Sequence, residues 1–254
     1  MSNPLDGLQF PIYSKTQKVS TSRTGKEIIA EALANVDHQS SVTALTEKNW
    51  RKQYPRYFKS LVEFGIRNQI APIQMAQDGL NKAHNVFEFY RDGQKHLLKD
   101  VMSLKTTPLH TIKLKGESDA APEWSVPYKG QQLKGGTLLA QIQTWLDAGV
   151  IEPSHAEALI ACVEHPEWFD LSDRTMVLFG AASEAGPLTW LAQWKANIVA
   201  VDLPNSRVWG KILDTIQHGN ATLYAPSVEA LSAETPIAVL KEKLGANLLT
   251  QVPE

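Results

Sequence analysis

Two glycines and one aspartate carry the clearest chemical signal in this sequence. The apolar run Thr175-Met176-Val177-Leu178-Phe179 ends in Gly180, five residues follow, and Gly186-Pro187 opens a helical pattern. A second apolar run, Ile198-Val199-Ala200-Val201, ends in Asp202. Backbone N–H groups at the start of a helix are unpaired and the helix dipole favours negative charge, so such a turn can cradle a phosphate. Glycine is needed wherever a side chain would block the phosphate or the neighbouring strand. Gly180 suits the tight turn and Gly186 the close packing of helix on strand, while Pro187 suits a first helical turn, where a missing N–H costs nothing. An acid about twenty residues on, at the tip of the second strand, can accept hydrogen bonds from ribose hydroxyls. The candidate cofactor-binding residues are therefore Gly180, Ala181, Ala182, Ser183, Gly186 and Asp202.

These residues need an alternation of strands and helices to hold them. From Thr175 onward the pattern reads strand, helix, strand, helix, strand, helix, strand, with strands near 175–179, 197–202, 221–225 and 246–250. The helix after the glycine turn is expected from about Gly186 to Lys195. Two lead-in helices precede this unit: Thr137 to Ala148, and one from Pro153-Ser154, where Ser154 and Glu157 form a capping-box pattern and Pro166 marks the end. Upstream, Thr24 and Glu27 suggest a capped helix carrying Ile28, Ile29, Ala32, Leu33 and Val36. A second helical stretch runs from about Val42 to Asn68, broken or kinked by Pro55, and a third from Pro72 to about Val86. Between these parts the period changes. Val86 to Tyr90 reads as a strand leading into an Arg91-Asp92-Gly93-Gln94 hairpin turn. Thr111 to Lys115 alternates like a half-exposed strand, Trp124 to Tyr128 is an edge strand or loop because of Pro127, and Gly116 to Pro122 is linker-like. The expected fold is α/β, with a parallel-sheet unit at the C-terminus preceded by a mostly helical region with a small β-rich insert. The division is drawn at 1–135 and 136–254.

The strand, glycine turn and strand-end acid resemble the NAD(P)-binding Rossmann superfamily, and most nearly its short-chain dehydrogenase-like branch, over roughly residues 174 to 254. That branch carries Gly-x-x-x-Gly-x-Gly after its first strand. Gly180 matches the first glycine and Gly186 the last, while the middle one falls on Glu184, whose carboxylate would repel a pyrophosphate unless it turned outward or met a cation. Asp202 matches the ribose-binding acid, which implies NAD, with NADP admitted if Arg207 receives the 2′-phosphate. The resemblance implies an NAD(P)-dependent oxidoreductase-like protein. The branch supplies its acid–base pair as Tyr-x-x-x-Lys, and none of the six tyrosines has a lysine four residues later. The sequence thus offers the adenosine half of such a site and names no catalytic residue. Two alternatives use the same residues. One is a non-catalytic Rossmann-like scaffold or assembly protein, with Gly180 and Gly186 serving chain geometry alone. The other is an S-adenosylmethionine-dependent methyltransferase-like protein, although Phe179 stands where that class usually has an acid.

Other chemistry-bearing residues have plainer readings. His155, Cys162 and His165 lack the spacing of a closed metal-ligand set. Trp190 and Trp194 are four apart on an expected helix and suit core packing. Lys48, Arg51, Lys52, Arg56 and Lys59, with Trp50, Tyr54 and Tyr57 between, read as a solvated helix face, with an anionic partner as the alternative. Tyr128-Lys129-Gly130 reads as a turn, and Ser183 as either a phosphate donor or a helix cap. A formal charge of −2 gives no general attraction for nucleic acid. No apolar run approaches the roughly 18 to 20 residues of a membrane span. Met1 to Asp6 lacks the pattern of an export signal, and the single Cys162 excludes an internal disulfide. These features point to a cytoplasmic protein binding a small-molecule cofactor, without nucleic-acid or membrane partners. A homo-oligomer or a partner chain would complete its sheet.

Overall fold

The computed structural model describes residues 6–252 and 254, so most of the N-terminal segment read above for an export signal lies outside the described residues. The chain forms two compact units, Met1–Thr107 with Leu248–Glu254, and Pro108–Asn247. The division expected at 135/136 falls inside the second unit. The reason is strand pairing: the strand at His110–Lys115 bonds antiparallel to the strand at Thr222–Ser227 and belongs to that sheet.

In the first unit, β1 (Gly7–Gln9), β2 (Ile12–Tyr13) and β3 (Lys18–Val19) precede α1 (Thr21–Ala34), α2 (His38–Thr46), α3 (Trp50–Gly65) and α4 (Ala71–Val86). The hairpin β4 (Glu88–Arg91) and β5 (Gln94–Leu97) follows, then the short α5 (Leu98–Val101). The cap of α1 is Ser20, whose side chain accepts from the Arg23 N–H, and not Thr24. Thr24 is buried within the helix and bonds the Tyr13 hydroxyl. The stretch expected from Val42 to Asn68 is two helices. The chain breaks at Glu47–Asn49, where the Glu47 carboxylate accepts from the Asn49 N–H, while Pro55 lies inside α3. Asp92 and Gly93 adopt φ of 52° and 74°, so the β4–β5 turn is the tight hairpin that Asp-Gly favours. β1 adds antiparallel to β4, giving the order β1-β4-β5.

The second unit begins with β6 (His110–Lys115), a small hairpin of β7 (Val126–Tyr128) and β8 (Gln131–Leu133), α6 (Gly135–Asp147), α7 (Pro153–Glu164) and a 3₁₀ turn at Pro166–Phe169. The expected Ser154–Glu157 capping box is not formed, because α7 starts at Pro153 with Glu152 at its N-cap. Then come β9 (Thr175–Phe179), α8 (Leu188–Leu191), β10 (Asn197–Val201), α9 (Ser206–Gln217), β11 (Thr222–Ser227) and α10 (Ile237–Lys243). The sheet order is β6-β11-β10-β9, with β9, β10 and β11 parallel and β6 antiparallel. The protein is thus mixed α/β, and this sheet is mixed rather than wholly parallel.

Two expectations fail here. Residues 246–250 form no strand. Gly245, at φ +127°, turns the chain after α10, Leu244 makes one bridge to Ser227, and Leu248 onward belongs to the first unit. The place beside β11 is held by β6. The helix expected from Gly186 to Lys195 shrinks to Leu188–Leu191. Beyond it the N–H groups of Gln193 and Trp194 bond three residues back, to Trp190 and Leu191, and Lys195 takes a left-handed φ of 54°. This tightening ends a helix.

One face of the sheet carries the core. The period of two in a strand puts Met176 and Leu178, Ile198 and Ala200, Leu223 and Ala225, and Leu114 and Ile112 on that face. They pack with Leu188 and Leu191 of α8, Trp209, Ile212 and Ile216 of α9, and Leu240 of α10. A second cluster joins Leu133, Leu138, Ile142 and Ala156. On the other face β9, the edge strand, leaves Val177 and Phe179 54% and 70% exposed. Among the described residues no helix is long and apolar enough to cross a membrane.

Candidate functional site

The six residues singled out from the sequence meet at one end of the parallel strands. Gly180 leaves β9 with φ +71°, a conformation that costs glycine little and other residues more. Its N–H donates to the Val201 carbonyl at 2.8 Å, extending the β9–β10 pairing by one bond. The Ser183 N–H then returns to the Gly180 carbonyl at 3.0 Å, and the Gly186 N–H to the Ser183 carbonyl at 3.1 Å. The segment from Gly180 to Gly186 is therefore two consecutive tight turns, with Ala181 buried beneath them.

Asp202 closes this turn from the neighbouring strand. Its Oδ2 accepts from the Ala182 N–H at 3.0 Å, and its Oδ1 from the Leu203 N–H at 2.9 Å. Each carboxylate oxygen has two acceptor directions, so the group keeps capacity for further donors. The Asp202 segment is itself held from below: Trp209, fully buried in α9, donates its Nε1–H to the Leu203 carbonyl at 3.1 Å. Asn205 caps α9 by accepting from the N–H groups of Arg207 and Val208.

Lys211 adds a contact that the sequence reading did not include. Its ammonium donates to the Ala182 carbonyl at 2.9 Å, so Ala182 is held at both its N–H and its C=O. Lys211 lies five residues into α9, and its only sequence signal is that register.

Other expectations for these residues change. Ser183 does not cap α8, whose N-cap is Pro187, and its side chain is exposed. Gly186 is close to the turn itself rather than to the strand: a Cβ there would lie 3.2 Å from the Ser183 carbonyl oxygen. Glu184 is exposed, and among the described residues the N–H groups of Glu184 and Ala185 have no acceptor. Arg207 is exposed in the first turn of α9. No three or more His, Cys, Asp or Glu residues among those described cluster as a metal site.

The far end of the β9–β10 crossover is pinned by Lys195. Its N–H donates to Asn220 Oδ1 at 2.7 Å and its ammonium to Asp170 Oδ2 at 2.8 Å. The hydrogen bond from Lys195, helped by those from Ser172, lowers the Asp170 pKa to about 2. Nearby, Trp194 meets Phe169 and Trp190 with ring centroids 4.9 and 6.1 Å apart, so the tryptophan pair packs within the unit.

Chemically, the site presents a left-handed glycine, exposed N–H donors and a half-buried carboxylate within one short segment. Donors suit a phosphate and the carboxylate suits vicinal hydroxyls. No family model, curated protein or solved structure matches this chain.

Proposed function

We propose that this protein binds a nucleotide cofactor, NAD, at the carboxyl ends of β9 and β10. In this reading the Gly180–Gly186 turn receives the pyrophosphate, and Asp202 accepts hydrogen bonds from the adenosine ribose. The observation that carries it is the Asp202–Ala182 hydrogen bond, which puts a strand-end acid directly against a glycine turn. The exposed N–H groups of Glu184 and Ala185 supply donors for a phosphate. The Glu184 side chain is solvent-exposed, where a carboxylate repels a bound phosphate less than it would in a closed site. An NAD(P)-dependent oxidoreductase-like role follows from the sequence resemblance and is part of the proposal. When bound, the nicotinamide would supply hydride transfer, and this chain's residues would bind and orient the nucleotide. Arg207 is the cation a 2′-phosphate would meet, which makes NADP the second ligand to test. A cofactor-binding role and a lone cysteine both suit the cytoplasm.

A second reading has its own support. Both Asp202 oxygens are engaged by backbone N–H groups, and Lys211 occupies the Ala182 carbonyl. A turn whose Asp202 carboxylate and Ala182 peptide groups are already engaged from within serves equally as a scaffold that holds no ligand. Thermal melts with NAD, NADP and S-adenosylmethionine separate the readings. The proposal expects the melting temperature to rise with NAD concentration, as for any ligand that binds only the folded state, and the Asp202→Ala variant to lose that rise. A flat response to all three ligands at millimolar concentration contradicts it and leaves the scaffold.

A further inference from the structure

The α3–α4 hairpin of the first unit carries an apolar surface that its core does not use. Tyr54, Phe58 and Val62 recur every four residues along α3 and are all exposed. Ile66 and Ile70, in the connection between the helices, are 80% and 75% exposed, and Ile73 continues the surface onto α4. Residues four apart share a helix face, so Tyr54, Phe58 and Val62 form one stripe along α3, and Ile66, Ile70 and Ile73 are the exposed apolar residues that follow it in the chain. The adjoining face of α3 is already committed: Tyr57 is buried with Ala30 and Ala44, and Leu61 and Phe64 pack against Leu33 and Met75. An open apolar groove runs between Val62 and Ile66 on one side and Pro72 and Ala76 on the other.

Beside this stripe runs a row of cations. Residues 48–67 contain Lys48, Arg51, Lys52, Arg56, Lys59 and Arg67 against one acid, Glu63, in a chain whose net formal charge is −2. The Lys59–Glu63 pair at 3.3 Å is exposed on both sides and holds its partners only weakly. The Arg67 guanidinium lies over the Phe64 ring, 3.9 Å from its centroid. A solvated helix face accounts for the cations, but it leaves the stripe unexplained, because contiguous exposed apolar surface of this kind marks an interaction site.

We propose that the α3–α4 hairpin docks on an anionic lipid surface. Phe58, Val62, Ile66, Ile70 and Ile73 enter the boundary between headgroups and acyl chains, while Arg51, Lys52, Arg56, Lys59 and Arg67 meet the headgroup charge. A cationic amphipathic helix lying in the interface has this arrangement and needs no spanning segment. The most exposed apolar residues of this surface, Ile66 and Ile70, sit at the turn of the hairpin. The same charge argues against a second copy as occupant, since a two-fold contact through this stripe brings two identical cationic rows together.

The test is co-sedimentation of the intact chain with vesicles of phosphatidylcholine alone and of phosphatidylcholine mixed with phosphatidylserine. Binding should require phosphatidylserine and weaken as salt is raised. The Lys52→Gln/Arg56→Gln/Lys59→Gln variant should bind on the order of a hundredfold more weakly, about fivefold for each charge removed. The Phe58→Ser/Ile66→Ser/Ile70→Ser variant should lose binding with every charge in place. Circular dichroism reports whether each variant keeps its helices. The proposal is overturned if the unmodified chain ignores phosphatidylserine vesicles, or if neither variant changes its binding. It is also overturned if sedimentation velocity without lipid shows self-association that the serine variant abolishes while vesicle binding is absent.

Discussion

Asp202 Oδ2 and the Ala182 N–H, 3.0 Å apart, tie the tip of β10 to the turn that leaves β9. A hydrogen bond to a charged acceptor contributes about 1.5 to 3 kcal/mol. Asp202→Ala should therefore lower stability by about 2 kcal/mol, read as a reduced urea midpoint with an unchanged slope. Asp202→Asn keeps one acceptor oxygen and should recover part of the loss. If the alanine variant melts like the parent, the carboxylate does not hold the turn.

Trp209 acts on the same segment from the core side. Trp209→Phe keeps a large ring but removes the donor to the Leu203 carbonyl, and should cost about 1 kcal/mol for the bond plus a packing term of similar size. If NAD binds as proposed, this variant should also weaken the ligand-induced rise in melting temperature, because Leu203 adjoins Asp202. A loss of stability with a normal NAD titration would separate the packing of Trp209 from the site.

Two glycines should respond to alanine in different ways. Gly180 has φ +71° with open space where a Cβ would stand, so Gly180→Ala should cost only the left-handed strain, about 1 to 2 kcal/mol. Gly116, in an ordinary conformation, would place a Cβ 2.2 Å from the Gly219 carbonyl oxygen. There the backbone must move, and Gly116→Ala should destabilise more than Gly180→Ala or fail to fold. Thermal melts rank the two, and the reverse order would contradict the packing described.

Much of this was legible in the sequence. The apolar runs gave β9, β10 and β11 to within a residue or two, and the Asp-Gly pair gave the β4–β5 turn. The glycine turn and Asp202 stand out together in the sequence, and the Ala182 N–H donates to Asp202 Oδ2 in the structure. What was hidden depends on pairing between distant segments. Nothing local tells that Thr111–Lys115 joins the far sheet, or that Ala246–Thr250, apolar as it is, is released by a turn at Gly245. The spacing after Gly186 predicts too long a helix, because Leu188, Leu191 and Trp194 have helical spacing whether the last turn is α or 3₁₀. Lys211 carries no sequence signal beyond its register in α9, because its partner is a backbone carbonyl, which leaves no mark on residue type.

Asp170 gives the structure a pH handle. Its folded pKa is about 2 against an ordinary 3.8, so the carboxylate is held in its charged form by Lys195 and Ser172. A depressed pKa contributes stability that is present above the unfolded value and lost as pH falls through the folded one. Urea midpoints should therefore decline between about pH 4 and about pH 2. Asp170→Asn should flatten that part of the decline while being less stable at neutral pH. An unchanged acid limb in the variant would remove Asp170 as its source.

The central claim is that the Gly180–Gly186 turn and Asp202 form a nucleotide site, and the backbone amides of the turn report on it most directly. In a ¹⁵N–¹H correlation spectrum titrated with NAD, the amide signals of Gly180, Ala182, Glu184, Ala185 and Gly186 should shift together and saturate along one binding curve. That curve should be weakened in Asp202→Ala. If those amides stay in place up to millimolar NAD, or shift equally in the variant, the nucleotide site is contradicted.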